Sequence, residues 1–275
     1  MKAYTFIKKH KQFTVFLLLA IGIVGIAVLA PWIAPRDPYH AVMIDSLQKP
    51  GGDYIWGTDR LGRDLCSRVI YGTRSSLVMA LCLIVVVFLI GTILGVAAGF
   101  FGGIVDQVIM RFADMMMAFP GLVLAIAIAG ILGAGLVNAV AAIAAVSWPK
   151  YARLARSLVL KIKGSAYMEA AVLTGTKNGK LLFRYVISNM ITTMMITATT
   201  DIGAMMLEMA GLSFLGFGAK PPTPEWGLML NEGRTYISIA PWLMIYPGLA
   251  IIITVIVFNM LGDSIRDTLE EKMED

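Results

Sequence analysis

Charge is scarce in this chain. Asp, Glu, Lys and Arg make up 15% of its 275 residues, against 58% hydrophobic, a balance outside that of ordinary water-soluble domains. Cysteine is nearly absent. Cys66 lies in a polar stretch and Cys82 inside an apolar run, so the two belong at different depths and no disulfide is expected. Histidine occurs only at His10 and His40, which leaves no Cys or His cluster at metal-ligand spacing. Also missing is a Gly-x4-Gly-Lys-Ser/Thr loop or any other glycine-rich nucleotide cradle backed by a lysine, so the chain is not expected to be an ATPase. No His–acid–nucleophile set or metal pair falls within the apolar runs, which disfavours a membrane-embedded enzyme. The net charge of +5 does not imply nucleic acid, because Lys and Arg sit between apolar runs instead of forming one basic face interleaved with aromatics.

What the sequence has in abundance is the uncharged run of about twenty residues, long enough to cross a hydrocarbon core as a helix. Such runs fall at Phe13–Ala34, Ser76–Ala98, Ala118–Leu132, Leu136–Tyr151, Val186–Gly211 and Pro241–Gly262. The expected fold is therefore all-α, a polytopic membrane protein with about six transmembrane helices. Met1 to Lys11 is basic and a signal peptide could imitate its junction with the first run, but that run is too long for a typical signal core.

With both termini cytoplasmic, the connections 99–117 and 152–185 are inside, while 35–75 and 212–240 are outside. The inner segments hold Lys2, Lys8, Lys9, Lys11, Arg111, Arg153, Arg156, Lys161, Lys163, Lys177, Lys180, Arg184, Arg266 and Lys272, the inward bias that topology rules require. Segment 35–75 runs against it, with six cations nearly balanced by Asp37, Asp45, Asp53, Asp59 and Asp64. That segment reads either as a dock or entrance cap, or as a solvated loop whose charges hold its own turns. The expected organisation is residues 1–75 as a first helix plus external segment, 76–267 as the transport domain, and 268–275 as a cytoplasmic tail.

Gly91, Gly95 and Gly99 repeat every fourth residue, placing bare backbone along one helix face as a packing seam. In the inner loop, Lys150–Lys163 is helix-compatible, Gly164-Ser165 breaks it, and 166–182 reads as a short amphipathic helix. Glu169, Ala170, Ala171 and Gly175 lie on it, giving a face of small side chains suited to sitting in a groove on another protein. The bland alternative is an amphipathic helix lying on the lipid surface.

At this loop the chain resembles the inner-membrane permeases of ATP-binding-cassette importers, whose coupling loop carries Glu-Ala-Ala followed by Gly. Other blocks are similar to the dipeptide, oligopeptide and nickel branch: Trp56 to Asp64, Gly102 to Asp106, Met110-Arg111 with Asp114, Ala118-Phe119-Pro120, Leu212 to Gly216, Pro221 to Gly227, and Phe258 to Asp263 with Arg266-Asp267. The likeness runs from about residue 13 to 267. It implies a type I importer permease fold and a place in the cytoplasmic (inner) membrane. It further implies a second, homologous permease, two ATPase subunits that bind the ATP and magnesium, and an extracytoplasmic substrate-binding protein. By the same resemblance, the coupling loop 152–185 transmits ATPase closure to the pathway, and the cargo is small peptides or nickel and its chelates. One departure is Ile187-Ser188-Asn189 where the family usually has Leu-Pro-Asn, which predicts a softer bend into the fifth membrane helix.

Thr193, Thr197, Asp201 and Glu208 share one face of that helix. An acid in hydrocarbon is costly, so the face points inward, toward either the translocation pathway or a subunit interface. Methionines at 190, 194, 195, 205, 206 and 209 suit adaptable packing better than a metal path. The rival class is a secondary transporter or channel driven by an ion gradient, which needs no ATPase groove for 166–182.

Overall fold

The computed structural model describes residues 10–274, with side chains described to Thr268. Lys2, Lys8, Lys9 and the side chains of 269–275, Lys272 among them, lie outside the described residues. The helices are α1 (Lys11–Ile33), α2 (Leu65–Phe101), α3 (Gly103–Met117), α4 (Gly121–Leu132), α5 (Leu136–Lys163), α6 (Ala166–Leu173), α7 (Asn178–Phe214), α8 (Trp226–Gly233) and α9 (Trp242–Glu274). Among the described residues the only β pairing is two isolated bridges, Gly51–Tyr54 and Thr58–Asp64.

Four of these helices, α1, α2, α7 and α9, are long and apolar enough to cross a membrane, and a fifth crossing results if α3 and α4 act as one bent unit. The run at 118–132 becomes a helix only from Gly121, where Pro120 sets the N-terminal turn. Twelve residues rise about 18 Å, too little to span alone, and α3 meets α4 at 94°. The connection 99–117 is thus helical, the last residues of α2 followed after Gly102 by the 15-residue helix α3. The run at 136–151 is the apolar half of α5, which continues to Lys163. Its polar half is held by charge: Arg156 grips Asp106 of α3 at 2.5 and 2.6 Å, and Arg153 reaches Asp114 at 2.6 Å. The border drawn at residue 75 falls inside α2, which begins at Leu65 behind the Asp64 N-cap.

α2 and α5 form the spine of the bundle. A Cβ on Gly91 would lie 2.4 Å from the Tyr151 Cβ, one on Gly95 2.2 Å from the Ala152 carbonyl oxygen, and one on Gly99 2.8 Å from the Val159 Cβ. At each position the nearest atom is backbone or a Cβ fixed to it, so rotating a side chain does not make room for a larger residue. Around it a central core gathers Leu83, Val87, Ile143, Val159, Val186 and Leu212 from α2, α5 and α7. α1 packs on α2 and α9 through Ala20, Ala27, Leu77 and Phe258. Its outer side leaves Leu18, Ile21, Val28 and Trp32 exposed, as lipid-facing side chains are.

Candidate functional site

At one end of the bundle α5 runs out to Lys163, whose ammonium donates to the carbonyls of Gly99 and Phe100 at the end of α2. Beyond it Gly164-Ser165 turns the chain into α6. The single helix expected over 166–182 is not what forms. α6 stops at Leu173, because Gly175 adopts φ +76°, a left-handed geometry that costs glycine little and other residues more. The Gly175 N–H bonds to Val172 O and the Thr176 N–H to Ala171 O, the pattern that closes a helix C-terminus. Gly175 therefore lies in the turn after α6, off the face that carries Glu169, Ala170 and Ala171.

Glu169 and Ala170 are exposed, whereas Ala171 and Met168 are buried against the bundle. Val172 is 54% and Leu173 88% exposed, two apolar side chains at an end of the molecule rich in lysine and arginine. Glu169, Val172 and Leu173 border an open hollow of about 370 Å³ together with Lys163 and Met168. This surface combines an acid, bare small residues and uncovered apolar groups, which suits it to a protein partner.

From the turn α7 starts at Asn178 and runs without interruption to Phe214, its Leu181–Ile187 stretch wound as a π-helix. Ser188, at the position where the resemblance predicts proline, sits in the helix and its hydroxyl donates to Phe183 O, five residues back. The entry into the membrane helix is thus a widened coil in place of a proline bend.

Midway along α7 the carboxylate of Asp201 is buried and accepts from the Lys150 ammonium at 2.6 and 2.8 Å and from the Tyr151 hydroxyl at 2.9 Å. Both donors stand on α5, next to the glycine seam. Glu208 is half-buried within hydrogen-bonding reach of Ser147, also on α5. The face that sequence spacing draws as one stripe is divided by the structure. Thr193 is exposed and Thr197 half-buried, its hydroxyl returned to the Thr193 carbonyl, while Asp201 and Glu208 turn to α5. Sequence reasoning did not pair Lys150 or Tyr151 with Asp201. The available signal was a lone lysine closing one apolar run and a lone aspartate inside another, since a buried charge requires a partner. Of the six clustered methionines, Met190, Met194, Met205, Met206 and Met209 are buried in the core, and among the described residues no three His, Cys, Asp or Glu side chains converge.

At the opposite end, the 59–68 region is tied down by a charge network. Arg63 binds Asp59 at 2.6 Å and Glu232 of α8 at 3.2 Å, and Arg68 reaches both acids at 3.4 Å. Both arginines are almost fully buried, so most of the charge in this segment holds it onto α8 and is not offered to solvent. Trp56 stacks on Tyr246 of α9 with centroids 4.6 Å apart. The Tyr54 hydroxyl donates to Asp45 at 2.8 Å, and that carboxylate holds the phenol's pKa above its usual range. Glu225 caps α8 by accepting from the N–H groups of Gly227 and Leu228. Burial raises its pKa, and those two hydrogen bonds oppose the rise.

Comparison with known proteins agrees with this architecture. Residues 91–275 match the family described as binding-protein-dependent transport system inner membrane component. The chain is 39% identical to the dipeptide transport system permease protein DppC of Alkalihalophilus pseudofirmus, over 99% of this chain and 90% of that protein. It is 40% identical to the glutathione transport system permease protein GsiD of Pectobacterium atrosepticum, over 98% and 89%. To the nickel transport system permease protein NikC of Escherichia coli it is 41% identical, over 89% and 88%. A match across two thirds of the chain, joined to near full-length likeness at about 40% identity, places the protein plainly: it belongs to the binding-protein-dependent transport system inner membrane components.

Proposed function

We propose that this chain is one of two similar permeases in an ATP-binding-cassette importer that brings short peptides across the cytoplasmic membrane. In this reading α6 and the Gly175 turn lie on the cytoplasmic side with both termini, and an ATPase subunit takes Glu169, Ala170, Val172 and Leu173 into a groove while Ala171 packs α6 onto the bundle. A second ATPase serves the second permease. A soluble binding protein delivers cargo at the opposite end, where segment 35–64 and α8 lie. Closure of the ATPases on ATP shifts α6, and the continuous helices α5 and α7 carry that shift to the Lys150–Asp201 level.

The observation that carries this reading is the exposed α6 surface, with Val172 and Leu173 uncovered beside Glu169 at the basic end of the bundle. A lone channel or ion-driven carrier has no use for it. The names of the relatives supply the cargo, two of the three being peptide permeases. The likeness to NikC favours nickel or a nickel chelate as the second reading. The test is reconstitution of the permease pair with its ATPases and binding protein in vesicles. ATP-dependent uptake of a labelled dipeptide is expected, whereas uptake of nickel alone would replace the peptide assignment.

A further inference from the structure

At the end of the bundle away from α6, a cavity of about 420 Å³ opens between the α4–α5 turn, the loop after α7 and α8. Its walls carry Arg60, Lys220 and Arg234 with one acid, Glu232. That acid is already engaged: one oxygen meets Arg63 and Arg68, and the other lies 3.6 Å from Arg60 with no hydrogen bond. Lys220 is exposed, and its ammonium has no ion-pair or hydrogen-bond partner among the described residues. The Arg234 guanidinium lies over the Phe214 ring, 5.8 Å from its centre, with no carboxylate beside it. Thr235 and Tyr236 add hydroxyls to the wall.

The three cations around this recess have one acid among them, Glu232, which Arg60 meets only at 3.6 Å and which Arg63 and Arg68 already hold, so an arriving anion relieves their mutual repulsion. A purely stabilising network would be balanced, as Asp59, Arg63, Arg68 and Glu232 are beside it, two acids to two arginines. The recess also has the size of a small-molecule site and not of a flat docking face. We infer that Arg60, Lys220 and Arg234 form a receiving site for the C-terminal carboxylate of a short peptide, occupied before the cargo enters the bundle. The inference rests on the peptide reading above and adds to it a place and a recognised group. Arg60 and Arg234 suit the planar carboxylate through their forked donors, and Lys220 adds a mobile point charge.

The test uses the complete assembly in vesicles, with permeases, ATPases and binding protein, and two probes, alanyl-alanine and its C-terminal amide. The quantity read is the ratio of their uptake rates. Because the same binding protein serves every variant, its own preference cancels when ratios are compared. The double variant Lys220→Gln/Arg234→Gln is expected to lower the acid-to-amide ratio about tenfold, the worth of a lost charge-assisted contact. Lys220→Arg, which keeps the charge, is expected to hold the ratio. An unchanged ratio overturns the site, including the case in which both rates fall together, since cations that dock the binding protein or brace the fold affect both probes equally. An unsubstituted assembly that imports neither probe defeats the peptide reading and this site with it, whereas import at an unchanged ratio defeats the site alone.

Discussion

Lys150 and Asp201, fifty-one positions apart in sequence, meet through both carboxylate oxygens at 2.6 and 2.8 Å. The pair ties α5, the helix that leads out to α6, to the middle of α7. Asp201 is buried, while the Lys150 side chain keeps 59% of its surface open in the single chain, so the lysine is the partner that can let go.

Removing the lysine should therefore harm more than removing the acid. Lys150→Met leaves a buried carboxylate without its cation. It is expected to cost about 1–3 kcal/mol, between the limits for exposed and buried pairs. Asp201→Asn should cost less, because an amide oxygen still accepts from Tyr151. Thermal melting of the purified assembly reads both, and equal losses would contradict the asymmetry.

The seam between α2 and α5 makes a second prediction. Gly95→Ala sets a methyl group 2.2 Å from the Ala152 carbonyl oxygen, and a backbone atom cannot rotate away. A loss of about 1–3 kcal/mol is expected from such overpacking. Gly22→Ala, with nothing within 4 Å, serves as the control and should melt unchanged.

Gly175 separates conformation from contact. Its Cβ would meet nothing within 4 Å, yet its φ is +76°, so a side chain here strains the backbone without clashing. Asparagine tolerates that geometry and valine does not. Gly175→Val is expected to lower cargo moved per ATP hydrolysed in a normally assembled importer, and Gly175→Asn to preserve most of it. If both fail equally, the ATPase groove needs bare backbone at this turn and the conformational account is wrong.

Glu225 gives a pH signature. Burial raises its folded-state pKa above the unfolded value of 4.5, so the folded chain holds this proton more tightly than the unfolded one. Its contribution to stability is complete below the unfolded value and declines as pH rises through the folded one. Against Glu225→Gln, which cannot ionise, the unsubstituted protein should lose relative stability from pH 4.5 upward. A melting difference that is flat with pH would show that the carboxylate is not penalised by burial.

The membrane class, the approximate positions of α1, α2, α7 and α9, and the small-residue line at Gly91, Gly95 and Gly99 were all legible in the sequence. Each is a local signal. An uncharged run long enough to span, or a glycine every fourth residue, requires no knowledge of distant chain. The α3 helix was hidden because its apolar residues cover one side only, with Asp106 and Asp114 between them. The helix over Lys150–Lys163 and its stop at Gly164-Ser165 were legible, but not that it continues the 136–151 run as the single helix α5. The last three turns of α5 are amphipathic: Ala155, Val159 and Ile162 are buried in the bundle, while Arg153 and Arg156 pair with those two aspartates, which only the fold brings near.

Hydropathy by itself thus determined that this chain lives in a bilayer, since apolar runs without charge have no other stable solvent. The motif order from Trp56 to Asp267 determined its kin. Tertiary structure alone decided which lysine neutralises Asp201, that Glu232 anchors Arg63 and Arg68, and that Arg60, Lys220 and Arg234 are gathered around one recess. The reason is physical: charge pairing acts through space over a few ångströms, and the residues it joins, Arg60 and Glu232 the furthest apart, are separated along the chain by up to 172 positions.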